Sequence, residues 1–196
     1  MALLATVGTG NVLAREKPDP SLVAEIEEAA KRFGLPVEVL LGMACVNTRY
    51  EHPPPEIGKY EEGDLHGRGS FGIMQLVQNP SSNTLGEASK LTGIPEDDLK
   101  TDRYSNIVGG AALLTASQGK KKPAHLGDWL GAVDGRGGNG KEYRAVAGVG
   151  AGELYAEQVR AALKEGASET TKKGESVRLR AQDLAARVTN RGKVVR

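Results

Sequence analysis

The 196-residue sequence contains a single cysteine, Cys45, so no internal disulfide can brace it. Aromatic residues make up only 4% of the chain, and a core must therefore come mostly from Leu, Val, Ile and Ala. No apolar stretch reaches the roughly 18–20 residues of a membrane span. Charge of either sign is not in excess: the formal net charge is +1, so no global field draws the chain to nucleic acid or an anionic membrane. The three histidines, His52, His66 and His125, are scattered and match no metal-ligand spacing; no metal and no cofactor is expected. Cys45 sits inside an apolar run and reads as a buried, inert thiol. The opening MALLATVGTGNVLA is mildly apolar, lacks a basic n-region and is broken by glycines, a poor secretion signal as it stands. A chain beginning after a removed signal would read the same.

What is present suits one domain with a real core plus a tail. Hydrophobic residues make up 39% of the chain, and 26 glycines favour tight turns and close approaches. Charge is unevenly spread: residues 168–196 carry a net +5, which leaves −4 for the rest. Residues 1–19 read as an N-terminal arm, 20–166 as the domain, and 167–196 as a basic tail or a linker toward a further domain.

Helical spacing dominates. SLVAEIEEAAKRF (21–33) is an amphipathic helix, with Asp19 or Ser21 as its cap and Gly34 as its stop. Residues 36–49 follow from Pro36 and are apolar on every side, which puts that helix at the centre. Residues 52–68 form a long loop rich in Pro, Gly and charge, functional or mobile by its length. GRGSFGIMQLVQ (67–78) reads as a short strand or a buried turn. Further helices are expected over 81–92, 94–100, 102–118 with Asp102 as cap, 125–134, and 140–165, the last long or broken. Small residues from Gly109 to Ala112 would let another backbone approach closely. Strand signals are few, and the fold class is mainly α.

One stretch raises a chemical question. After VEVLLGMACV the chain turns abruptly polar, in NTRYEHPPP. Asn47 lies four residues after Met43 and seven after Leu40, on the buried stripe of the helix. An ordinary terminus turns its polar residues to water; here an amide faces protein or a cleft, and leaving it unpaired would cost about 1–3 kcal/mol.

Three segments, CVNTRYEH, GSFGIMQL and YSNIVGGAALL, resemble in order and spacing the lysozyme-like lytic transglycosylase fold of soluble lytic transglycosylases and goose-type lysozymes. Residues 20–166 are most similar to the lysozyme-like domain that precedes N-acetylmuramoyl-L-alanine amidase domains in some bacterial cell-wall proteins. The resemblance implies a helical domain with a glycan-binding groove, acting on the MurNAc-GlcNAc strands of peptidoglycan outside the cytoplasm. It also implies a catalytic glutamate at the end of the central helix, a GxxGxMQ-type segment (Gly69 to Gln75) lining the groove, and an Asn-Ile pair (Asn106, Ile107) holding the fold around the cleft. Thr48, Tyr50, Ser70, Met74, Gln75, Asn106 and Asp134 are the substrate-binding positions it suggests. The family's Ala-Tyr-Asn-Ala-Gly segment matches residues 132–136 loosely, with the Tyr missing and Asp134 in the Asn place.

The main departure is Asn47, which stands where the family keeps its glutamate. Cleaving a glycosidic bond needs a proton delivered to the leaving oxygen, and an amide has none to give. Three readings follow: a native glycan-binding domain that no longer cleaves, an introduced substitution, or a takeover by a carboxylate among Glu51, Glu56, Glu61, Glu62 and Asp64. Glu51, one turn beyond Asn47, is the weak catalytic candidate. Three functions stay open: a peptidoglycan-cleaving enzyme or its inactive relative, a non-catalytic module that targets an attached amidase to the wall, and a helical structural or interaction domain.

Overall fold

The structure, a computed structural model, describes residues 20–63, 69–134 and 152–195. The arm at 1–19, Asp64, Gly135, Arg136 and the stretch 140–151 of the expected last helix lie outside the described residues. Pro20–Ser21 leads into α1 (Leu22–Phe33), whose N-cap Ser21 accepts from the Ala24 amide and which ends at Gly34 in the left-handed region. Then come α2 (Val37–Thr48), a single turn α3 (Pro55–Gly58) and a small hairpin of β1 (Ser70–Phe71) and β2 (Leu76–Val77). α4 (Thr84–Thr92), α5 (Glu96–Thr101) and α6 (Arg103–Gln118) follow, with Asn83 capping α4 and Asp102 capping α6 through their side-chain oxygens. A 3-10 turn (Leu126–Trp129) runs into α7 (Leu130–Val133), and α8 is Gly152–Glu165.

The class is mainly α. α2 sits centrally because it has no polar face to turn outward: Val39 to Ala44 are all buried. It packs on α1 and α8, and Gly42 lets Val159 and Leu163 of α8 lie against its backbone. α6, the longest helix among the described residues, packs on α1, α4 and α5. The glycines of α6 do a job different from the expected backbone approach. Gly109 receives the side chains of Leu76, Leu99 and Ala88, and Gly110 receives Met74.

The segment read as a basic tail or linker is folded. Over 167–195 it makes two antiparallel hairpins, β3 (Ala167–Thr170) with β4 (Ser176–Leu179) and β5 (Arg187–Val188) with β6 (Val194–Val195). Val177 and Leu179 enter the core while Arg178 and Arg180 stay exposed, so its cations decorate one side of a strand rather than a solvated tether. Bridges to the helical body are specific. Leu126 N–H donates to the Ala186 carbonyl (3.0 Å) and Val188 N–H to that of Ala124 (2.7 Å).

The tightest link is ionic. Arg103, at the start of α6, reaches the half-buried Glu175 of the β3–β4 hairpin and, at 2.6 Å, the buried Glu25 of α1. The second oxygen of Glu175 accepts from the Leu22 amide at 2.8 Å. Burial alone would raise the Glu175 pKa, but Arg103 and the Leu22 N–H outweigh it and hold the carboxyl below its ordinary value. A carboxylate depressed in the folded state gives stability that is present above its unfolded pKa and is lost as pH falls through the folded one. Glu175→Gln is therefore expected to cost about 1 kcal/mol near pH 7, with a smaller gap to wild type in urea melts at acid pH, below the ordinary carboxyl range. An equal gap at both pH values would contradict this role.

Candidate functional site

The site is built around the end of α2. After Thr48 the chain must leave the core, and it does so through two consecutive left-handed residues, Arg49 (φ 52°) and Tyr50 (φ 67°). For residues with a Cβ each such conformation costs about 1–2 kcal/mol. Burial of the Tyr50 ring, 1% exposed, offsets it. The Tyr50 hydroxyl lies beside the Cys45 thiol, and burial pushes the pKa of both groups up. Cys45 is only partly buried, yet it stays a thiol at neutral pH and is not an activated nucleophile.

Asn47 is half-buried, and its Nδ2 donates to the Ile73 carbonyl at 3.4 Å. Ile73 belongs to the Gly72–Gln75 turn that joins β1 to β2. Its own N–H donates to Nδ1 of His52 at 3.3 Å, so one residue of the turn is held at both its N–H and its carbonyl by the two ends of the 47–52 segment. Burial, the main cause, lowers the His52 pKa and keeps the ring neutral and able to accept. Gln75 sits at φ 53° with its side chain folded back onto the Gly72 carbonyl at 2.9 Å. The turn is also clamped from below by Asn106, which has no solvent exposure. Its Oδ1 accepts from Met74 N–H (2.7 Å), and its Nδ2 donates to the carbonyls of Phe71 (3.0 Å) and Leu99 (2.8 Å). Gly72, at φ 68°, must be glycine, because a Cβ there would lie 2.4 Å from the Asn106 amide.

Tyr155 of α8 approaches Asn47 from the core. Its hydroxyl lies beside Asn47 and, among the described residues, finds no partner with good hydrogen-bond geometry. Burial drives its pKa far up, so it remains a proton-bearing donor at neutral pH.

The sequence-picked residues thus divide. Asn47 and Gln75 belong to one small region of α2 and the β1–β2 turn. Ser70 is half-buried in β1, paired with Val77. Thr48 uses its hydroxyl on the Ala44 carbonyl of its own helix, and Tyr50 and Met74 are core residues. Asn106 spends its amide on three backbone groups, which makes it a clamp rather than a groove-facing contact. Asp134 caps the end of α7 by its backbone, half-buried, with its carbonyl against Gly152. Glu51 accepts from the Lys172 amide at 2.7 Å, so its carboxylate ties α2 to the β3–β4 hairpin. His52 and Tyr155 were missed by sequence reasoning. Tyr155 lies in none of the resembling segments, His52 closes CVNTRYEH with no role assigned to it there, and only the fold brings them to Asn47 and Ile73.

Chemically, the region offers amide and phenol hydrogen bonds at the end of a buried helix, and a neutral imidazole behind the turn. Asn47 itself supplies no transferable proton. Among the described residues no three His, Cys, Asp or Glu side chains gather as metal ligands, and no helix is long and apolar enough to cross a membrane. Compared with protein-family models and with curated proteins, the chain matches none.

Proposed function

We propose that the chain binds the MurNAc-GlcNAc glycan strands of peptidoglycan as a lysozyme-like domain whose general-acid position is filled by Asn47. The observation that carries this is the meeting of the resembling segments. Asn47, at the polar end of an otherwise apolar helix, donates to Ile73 in the glycine-rich turn. Asn106, from the third segment, fixes that same turn. A glycosidase needs a carboxyl held rigidly in a partly desolvated setting, and position 47 is half-buried at the end of an otherwise apolar helix, with an amide in place of the acid. The buried Tyr155 hydroxyl beside it supports the same reading, since a phenol there could donate to an acid standing at position 47.

Two consequences belong to this proposal. The chain acts outside the cytoplasm, on the cell wall, and an amidase domain is a fitting neighbour for it. Glu51 is unsuited to take over as the acid, because its carboxylate is engaged with the hairpin backbone.

The test is co-sedimentation with purified, insoluble peptidoglycan. The expected result is that the unaltered chain pellets with the walls and releases no muropeptides. A chain that stays in the supernatant under conditions where it is folded would contradict the proposal.

A further inference from the structure

At His52 a single proton decides whether the β1–β2 turn is held. Nδ1 accepts the Ile73 N–H at 3.3 Å, and an imidazole nitrogen accepts only while it carries no proton. In the neutral ring the one proton is therefore on Nε2, an atom shut off from solvent and, among the described residues, without a hydrogen-bond partner. A second proton has only Nδ1 to go to, where it meets the Ile73 N–H. We propose that His52 is a positioning residue and a proton-operated switch: neutral, it fixes Ile73 and through it the Asn47 amide; protonated, it lets go of the turn on that side. The switch goes beyond the glycan-strand reading and does not depend on it; only its effect on wall binding does.

Three observations carry this. The first is that the ring has little room to swing aside. Pro53, Pro54 and Pro55 follow it, and the residue before a proline is kept out of helical backbone. Glu51, just ahead, is tied by its N–H to the Thr48 carbonyl (3.1 Å) and by its carboxylate to the Lys172 amide. Two N–H groups forced to face each other are then separated by movement of the turn. The second is that the turn can yield locally. The remaining hydrogen bond from the 47–52 segment to Ile73 is the long 3.4 Å one from Asn47, whereas Met74 N–H and the Phe71 carbonyl keep their Asn106 partners whatever the state of His52. The third is the charge around the ring. Burial is the largest influence and lowers its pKa; the Thr101 backbone raises it; Arg103 of α6 lowers it, Asp102 between α5 and α6 raises it, and Lys173 of the β3–β4 hairpin lowers it. Arg103 is already paired with Glu25 and Glu175, and Asp102 already accepts from the Ser105 N–H. The holding, neutral form is thus the one present at neutral pH. Its contribution is complete above the ordinary histidine pKa of about 6.5 and is lost as pH falls through the lower, folded value.

The experiment takes the full chain and its His52→Asn variant from about pH 8 to about pH 4, a window that spans the ordinary histidine value and the range below it. Imidazole nitrogen shifts report the protonation of His52. Hydrogen exchange of the Ile73 amide, corrected for the intrinsic pH dependence of exchange, reports the turn. In the unaltered chain Ile73 is expected to lose about tenfold in protection along the titration curve of the ring, the scale of one hydrogen bond, while Met74 keeps its protection. His52→Asn offers an oxygen acceptor that no acid in this window protonates, and it shares every carboxylate with the unaltered chain. Its Ile73 protection should not follow pH. A ring that stays neutral throughout, Ile73 protection that ignores the ring's titration, or an equal loss in His52→Asn would overturn the switch. Should that variant not fold, the comparison of ring and amide in the unaltered chain decides alone. Retention on peptidoglycan that weakens over the same range in the unaltered chain, and not in His52→Asn, joins the switch to the glycan-strand reading. No retention at any pH overturns that reading and leaves the Ile73 result standing.

Discussion

Asn106→Ala is expected to destabilise the fold by about 4 kcal/mol, because it strips partners from three buried backbone groups at once. The Met74 N–H and the Phe71 and Leu99 carbonyls all depend on this one amide. Each unsatisfied group costs about 1–3 kcal/mol, and the void left behind adds to the loss only partly, since a water can occupy a polar hole. Asn106→Asp is a sharper probe. An ionised carboxylate still accepts from Met74 but repels the two carbonyls, so this variant should be least stable near neutral pH and recover as acid protonates it. Urea unfolding measures both. A loss below about 1 kcal/mol for Asn106→Ala would mean that the turn is held by something other than this clamp. Since the same turn carries Ile73, loosening it should also release Asn47.

The helices were legible because their ends carry chemistry that works locally. Ser21, Asn83 and Asp102 cap through their own side chains, and Gly34 stops α1 by adopting a conformation other residues resist. The central place of α2 was equally plain, since a helix without a polar face has nowhere else to go. The folded hairpins at 167–195 were hidden by composition. Their signal, Val177 and Leu179 alternating with Arg178 and Arg180, is only a few residues long, and the net positive charge outweighed it. The candidate site was legible in part. The polar end of α2 stood out because Asn47 continues a buried stripe. What each turn residue does was not readable: Met74 goes to the core against Gly110, and Asn106 turns inward to backbone. Such choices follow from long-range contacts, as do the meetings of Asn47 with Tyr155 and of Ile73 with His52.

Asn47→Glu carries the largest expected effect, the appearance of muropeptide release where the unaltered chain gives none, since a positioned general acid is usually worth about 10²–10⁴-fold. The environment favours the protonated form such an acid needs. The position is half-buried, it lies at the carbonyl end of α2, and the Ile73 carbonyl can accept from a carboxylic acid but only repels a carboxylate. The pKa of the new glutamate should therefore lie above the ordinary carboxyl value, with the Tyr155 hydroxyl partly opposing the rise by donating to the ionised form. Release should decline on the alkaline side as pH passes that raised pKa, and Asn47→Gln should release nothing, since it adds length without a proton. The most direct test is chromatography of soluble muropeptides from purified walls incubated with the unaltered chain, Asn47→Gln and Asn47→Glu. Muropeptides appearing with the glutamate variant alone are the predicted result; a folded glutamate variant that neither pellets with the walls nor releases any product would contradict the account.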